Sequence, residues 1–181
     1  MKKSQIRKKF LKLRENKLQK VKSINYNDII KLFKKRGIKG KIVGGYYPYN
    51  NELDCIQILE KLEKKNYIIS LPKIKKNYQM DFVKWSSKEP LVINKFGIPE
   101  PSNGKIKFPD ILLVPLLSFD TKLNRVGYGG GFYDRYIHRI KRKKKPLLVG
   151  LAYSFQKVKS IPVNKYDKKL DFVVTERKII E

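Results

Sequence analysis

The sequence predicts an α/β fold, a single domain on a mostly parallel sheet flanked by helices. Three observations carry this expectation. Segments of strand length alternate with segments whose apolar residues recur at helical intervals. One continuous apolar run, DILLVPLL from Asp110 to Leu117, suits a central strand covered on both faces. A glycine cluster then separates that run from a helical segment, which is the strand–loop–helix order of such folds. The chain has 181 residues, the length of one domain, and can bury a substantial apolar core.

The elements follow in order. Ile6, Phe10, Leu13 and Leu18 mark a helix from Ser4 to Leu18. Ile29, Ile30, Leu32 and Phe33 mark a second, from Asp28 to Lys35, stopped by Gly37. KIVGGYY, Lys41 to Tyr47, reads as a buried strand ended by Pro48, Asn50 and Asn51. Leu53, Ile56, Leu59 and Leu62 share the face of a third helix, with Asn51 as its N-cap. Tyr67 to Leu71 and the alternating MDFVKWS read as strands. Ser87 to Pro109 is rich in Lys, Pro, Gly, Ser and Asn and reads as a long surface excursion. Beyond the glycine cluster, Phe132, Tyr136, Ile137 and Ile140 mark a helix. PLLVGLAYS and DFVVTE supply two further strands.

Composition limits the function classes. A single cysteine, Cys55, excludes an intramolecular disulfide and fits a reducing, cytoplasmic compartment; it reads as a small residue on a helix face. No apolar run approaches the ~18 residues of a membrane span. The N-terminus is charged from Lys2 onward and lacks the apolar stretch of a signal peptide. The net charge of +27 has two readings. One is a phosphate- or carboxylate-rich partner; the other is compositional drift toward Lys over a solvated surface. The charge is spread along the chain, which favours drift, although HRIKRKKKP (138–146) is dense. Either way the field favours anionic ligands and is weakened by salt.

The stretch RVGYGGGFYDRY, Arg125 to Tyr136, concentrates the chemistry. Gly129, Gly130 and Gly131 allow backbone N–H groups to converge on one point and approach it closely. The helix that follows adds a positive dipole end and unpaired donors, so the loop suits phosphate oxygens. It is not a dinucleotide fingerprint, because from Gly127 that motif needs glycine at 132, where Phe132 stands. The Gly-Lys-Ser/Thr of a Walker loop is also missing. Asp134 is either a first-turn acid on the helix dipole or a Mg2+ ligand beside phosphates. Arg125 is either a solvated charge or a group that neutralises a transferring phosphoryl. Tyr128, Phe132 and Tyr133 could pack in the core or face a ligand.

RVGYGGGFYDRY and the preceding VPLLSFD resemble the signature of the 5-formyltetrahydrofolate cyclo-ligase family, whose members are also called 5,10-methenyltetrahydrofolate synthetases. KKSQIRK, YYPYNNELD, FGIPEP and IPVNKYDKKLDFVVTE are similar to other family segments, in the same order. The resemblance spans nearly the whole chain and implies one cyclo-ligase domain over residues 1–181, with a mixed sheet flanked by helices. It implies a reaction in which ATP, with Mg2+, converts 5-formyltetrahydrofolate to 5,10-methenyltetrahydrofolate and releases ADP and phosphate. A formyl oxygen is a poor leaving group until it is phosphorylated; N10 can then close the ring. The protein would mainly position the reactants and neutralise charge.

The family pattern also implies roles. Lys3 and Arg7 match ATP-contacting residues and, four apart on a helix, share one face. Tyr47 and Glu52 match folate-contacting positions. Arg125, Gly127, Tyr128, Gly129, Gly130, Gly131, Phe132 and Tyr133 match the nucleotide loop, with Arg125 as the catalytic residue and Tyr128 and Phe132 also on the folate side. Asp134 and Asp171 match metal-binding acids. Trp85 either stacks on a pterin or belongs to the core. Two departures stand out. Tyr166 precedes Asp167 where many relatives have histidine, and Phe132 replaces a more usual tyrosine. His138, the only histidine, reads as a surface residue. The expected partners are 5-formyltetrahydrofolate and ATP, for a monomer with no specific nucleic acid and no membrane. The alternatives are a basic nucleic-acid-binding protein without catalysis and a relative that binds nucleotide without turnover.

Overall fold

The structure is a computed structural model that describes residues 1–17 and 24–181; Leu18 of the expected first helix lies outside them. Helix α1 spans Lys3–Lys17 and buries Ile6, Phe10 and Arg14, one residue every four along a single stripe. Helix α2, Tyr26–Lys35, starts at a cap in which the Asn25 side chain accepts the Asn27 N–H, and it ends before Gly37 at φ +59°. Strand β1 is only Ile42–Gly44, shorter than expected. Beyond it Gly45 lies so close to α3 (Ile56–Glu63) that a Cβ there would stand 2.5 Å from Leu59. Asn51 is not the N-cap of α3. It sits at φ +58°, and Asp54 Oδ1 instead accepts the Ile56 N–H at 2.9 Å. Residues 45–55 are therefore an irregular segment, closed by the Tyr46 hydroxyl donating to the Leu53 carbonyl at 2.9 Å.

Strand β2 (Ile68–Ile74) outruns its expected end at Leu71 and passes through Pro72. That is tolerated because β1 pairs only with Ile68 to Ser70, leaving no β1 neighbour to need the missing N–H. Antiparallel β3 is Met80–Lys84. The expected surface excursion instead contains a hairpin, β4 (Leu91–Ile93) with β5 (Pro99–Pro101), and a short strand β6 (Ile106–Lys107) paired to β3. Strand β7 is Ile111–Pro115. A two-rung ladder, β8 (Ser118–Phe119) with β9 (Arg125–Val126), precedes the glycine loop and helix α4 (Phe132–Ile140). Strand β10 (Leu147–Leu151), a 3-10 turn at Ser154–Gln156, β11 (Phe172–Val174) and β12 (Ile179–Ile180) complete the order.

One eight-stranded sheet runs β12-β11-β10-β7-β1-β2-β3-β6. Its inner strands β11, β10, β7, β1 and β2 are parallel, and β12, β3 and β6 are antiparallel at the margins. The period of two decides the layers. Ile111 and Leu113 of β7 join a core with α2 and α3, while Leu112 and Val114 join one with α4. The segments leaving β1 and β7, adjacent strands, therefore run to opposite faces. Ligands of open α/β sheets bind at such a switch point, outside the strand C-termini. Helix α1 packs through Ile6 and Phe10 on Leu117, Val126 and Ile161, covering the segment after β7. Trp85 is buried in the α2–α3 core, its indole N–H on the Glu89 carbonyl, so it is a core residue.

Asp120 organises the segment after β7. It is 2 % exposed, and its carboxylate accepts from Lys122 N, Asn124 N, Asn124 Nδ2 and Ile161 N, each at 3.0 Å. Asp120→Ala strands these donors, and denaturant unfolding should show a loss of about 3 kcal/mol.

Candidate active site

The glycine loop and the segment that leaves β1 meet at the switch point. The Tyr128 hydroxyl donates to the Tyr49 carbonyl at 3.2 Å, and the two rings lie 5.9 Å apart. Arg14 joins them: Nη1 donates to the Tyr128 hydroxyl at 2.8 Å and to the Asn50 carbonyl at 3.2 Å, and Nη2 donates to the Leu116 carbonyl at 2.6 Å. Glu52 is buried beside them, with Oε2 accepting the Tyr49 N–H at 3.0 Å. Burial pushes its carboxyl from an ordinary 4.5 up to about 7, against the opposing pull of the Tyr49 N–H, the Arg14 charge and the Tyr128 hydroxyl. Tyr47 is half-buried on the same segment.

Two of the glycines are conformational requirements. Gly129 sits at φ +106° and Gly131 at φ +67°, where a side chain is strained. Gly131 is also the N-cap of α4 and makes no side-chain cap bond, so the first-turn N–H groups keep no capping oxygen. Gly127 differs: a Cβ there meets no protein atom within 4 Å. Gly130 packs on its own helix, since a Cβ would stand 2.9 Å from the Phe132 ring. From α1, Arg7 Nε donates to the Gly127 carbonyl at 2.8 Å, with its guanidinium against Gly129. Phe132 lies between Tyr78 at 5.7 Å and Phe96 at 5.8 Å, which explains how FGIPEP reaches the loop.

The segment 161–170 forms the opposite wall. Asp134 Oδ1 accepts Arg125 Nη2 at 2.8 Å and the Lys168 N–H at 2.9 Å, and Arg125 also donates to the Lys168 carbonyl. Arg125 is buried and Asp134 half-buried. Asp167, adjacent to Lys168, accepts Lys3 Nζ at 2.5 Å and the Asn164 N–H at 2.6 Å on Oδ2. The other oxygens, Asp134 Oδ2 and Asp167 Oδ1, have no hydrogen-bond partner among the described residues. Asp171 does not join this group. Its carboxylate accepts the Leu148 N–H at 2.7 Å, at the start of β10 and β11. Tyr166 is exposed, so its place in the family pattern reads as solvent-facing, and His138 is exposed on α4 near Arg142.

The Tyr133 hydroxyl is buried without a partner; burial and the Glu52 charge hold its pKa well above the ordinary phenol value. Burial likewise pushes the Cys55 thiol up, so it offers no thiolate. An open groove of ≈ 790 Å³ is lined by Lys75, Lys76, Lys95, Glu100 and Arg139 among others, and neither Glu52 nor Gly127 lines it.

Fold and loop define an α/β protein with a phosphate-suited turn at its switch point. The model of the 5-formyltetrahydrofolate cyclo-ligase family matches residues 1–176, and the chain belongs to that family. It is 34 % identical over 140 residues to a 5-formyltetrahydrofolate cyclo-ligase of Haemophilus influenzae, covering 73 % of this chain and 74 % of that one. The Escherichia coli K12 relative of the same name is 32 % identical over 147 residues, 77 % of this chain and 80 % of that protein. The NMR structure of Aquifex aeolicus 5,10-methenyltetrahydrofolate synthetase superimposes with a TM-score of 0.75 at 30 % identity, covering 99 % of this chain and 92 % of that one.

Sequence reasoning missed Arg14 and Asp167. Arg14 was detectable: it continues the buried stripe of Ile6 and Phe10 and lies seven residues beyond Arg7. Asp167 stood beside the Tyr166 departure, and nothing local marked it.

Glu52 gives the fold a pH signature. Its folded pKa lies above the unfolded value, so the folded state holds more protons between pH ~4.5 and ~7, and stability from this group falls as pH rises through that window. Glu52→Gln should flatten that part of the profile and make the protein more stable at pH 8, by up to about 3 kcal/mol, in unfolding measured across pH.

Proposed function

We propose that this chain is an ATP-dependent 5-formyltetrahydrofolate cyclo-ligase acting in the cytoplasm. The observation that carries the reading is the meeting, at the β1–β7 switch point, of a glycine loop suited to phosphate and a buried carboxylate suited to a pterin, in a chain matched by the family from residue 1 to 176. The relatives lend no support to the nucleic-acid alternative.

Lys3, Arg7 and the N–H groups of residues 127–133 hold the triphosphate, with the α4 dipole behind it. Tyr128 and Phe132 border the folate, and ionised Glu52 accepts from pterin N–H groups. The formyl oxygen of 5-formyltetrahydrofolate attacks the γ-phosphorus; the bond to ADP breaks and an iminium phosphate forms. N10 then attacks the formyl carbon and loses its proton, and the C–O bond breaks to release phosphate. Arg125 stabilises the phosphoryl charge as it spreads.

The donor set fits Mg2+, which takes one or two carboxylates together with phosphate oxygens. Asp134 and Asp167 would hold it, and Asp171 is set aside because its carboxylate closes the sheet. Bound there, the ion would neutralise phosphate charge. The phosphates compete with Asp167 for Lys3.

The test is turnover of 5-formyltetrahydrofolate with ATP and Mg2+, followed by absorbance of the methenyl product; no product overturns the reading. Gly127→Val should fold normally yet weaken ATP binding about a hundredfold, because its side chain projects into space that no protein atom fills. Asp134→Asn and Asp167→Asn should each raise the Mg2+ needed for half-maximal rate about tenfold, while Asp171→Asn leaves it unchanged.

A further inference from the structure

Arg14 is 1 % exposed and forms no ion pair among the described residues. A guanidinium stays charged, and burying it without a counter-ion is costly. A methionine or leucine would fill such a position more cheaply. What arginine adds is a rigid fork, and here the fork reaches acceptors on three separate segments. These are Leu116 at the end of β7, Asn50 beside Glu52, and the hydroxyl of Tyr128 in the glycine loop. Tyr128 extends the connection by donating to Tyr49. Nε has no partner. Both walls of the crevice are thus tied through one side chain of α1, the helix that also carries Lys3 and Arg7.

We propose that Arg14 is a positioning residue: through Tyr128, Asn50 and Leu116 it sets the spacing between the glycine loop and the Glu52 segment, so that the nucleotide and folate halves of the site are held as one unit. The proposal rests on the function given above for those two halves. Arg14 has a second consequence. The groups that face Glu52 are Arg14 from α1, Tyr128 from the glycine loop, Tyr133 from α4, and Tyr46 and Cys55 from its own segment. Arg14 is the one cation among these groups, and its charge favours the ionised Glu52 that a pterin requires.

The test compares Tyr128→Phe, Arg14→Lys and Arg14→Met with the unaltered chain by hydrogen exchange, by steady-state kinetics across pH and by thermal unfolding. Tyr128→Phe keeps its ring against Tyr49 and loses only the hydroxyl. It should keep its melting temperature yet speed amide exchange about tenfold in both 45–53 and 127–131, and raise KM for both substrates by a similar factor. Arg14→Lys, unable to span three acceptors, should do the same without moving the acid limb of kcat/KM for folate. Arg14→Met should also shift that limb to higher pH. Faster exchange in only one segment, or a change in KM for only one substrate, overturns the proposal, as does a drop in melting temperature with exchange in both segments unchanged. If the unaltered chain makes no methenyl product, the activity reading fails, while the exchange data still decide whether Arg14 joins the two segments.

Discussion

The chain leaves β1 toward one face of the sheet and leaves β7, its neighbour, toward the other, and the crevice between those exits organises the site. The first exit must clear Leu59 of α3, which is why Gly45 follows the strand so closely. The second carries Asp120, whose buried carboxylate closes the turn between β8 and β9 and also takes the Ile161 N–H. Gln156 adds to this by donating to the Leu116 and Leu117 carbonyls from the far side. The stretch between β7 and the glycine loop is thus held by the short β8–β9 ladder together with these side-chain hydrogen bonds.

Charge in the crevice is arranged locally, and the overall +27 is a background to it. Arg125 is matched by Asp134, and Lys3 by Asp167. Most lysines lie on exposed surface, where salt screens them within about 8 Å at physiological strength. The pairs in the site are less solvated, so they bear on a bound anion more strongly than any count of lysines does. Because both pairs reach the segment 161–170, this stretch is a wall of the site as well as the link from β10 to β11.

Much of the fold was legible because period and punctuation agree. The continuous apolar run in DILLVPLL foretold a strand with two buried faces, and Gly37 ended its helix as expected. Strand ends were less legible, since β1 stops where α3 presses on Gly45, a tertiary contact no local pattern encodes. The hairpin at 91–101 was hidden by its own composition: Pro99 and Pro101 read as loop residues, yet they serve on a two-stranded edge. In the site, the glycine cluster and its aspartate announced themselves, whereas Asp167 came into view only when Lys168 was found on Asp134. Arg14 did carry a local signal, the continuation of the Ile6 and Phe10 stripe, but one basic residue among 43 draws no notice without it.

The start of α4 shows how sequence and chemistry converge. Most helices close their first turn with Ser, Thr, Asp or Asn, whose side-chain oxygen takes an orphan N–H. This helix begins instead at Gly131, left-handed and without a capping oxygen. The nearest carboxylate, Asp134, gives its Oδ1 to Arg125 and the Lys168 N–H, so that oxygen serves the opposite wall and not the helix end. Such an end is weaker as a piece of helix than a capped one, by roughly 0.3 kcal/mol. The arrangement makes physical sense when the donors are needed by something other than the chain, and a phosphate is the ligand whose charge and oxygen geometry suit them.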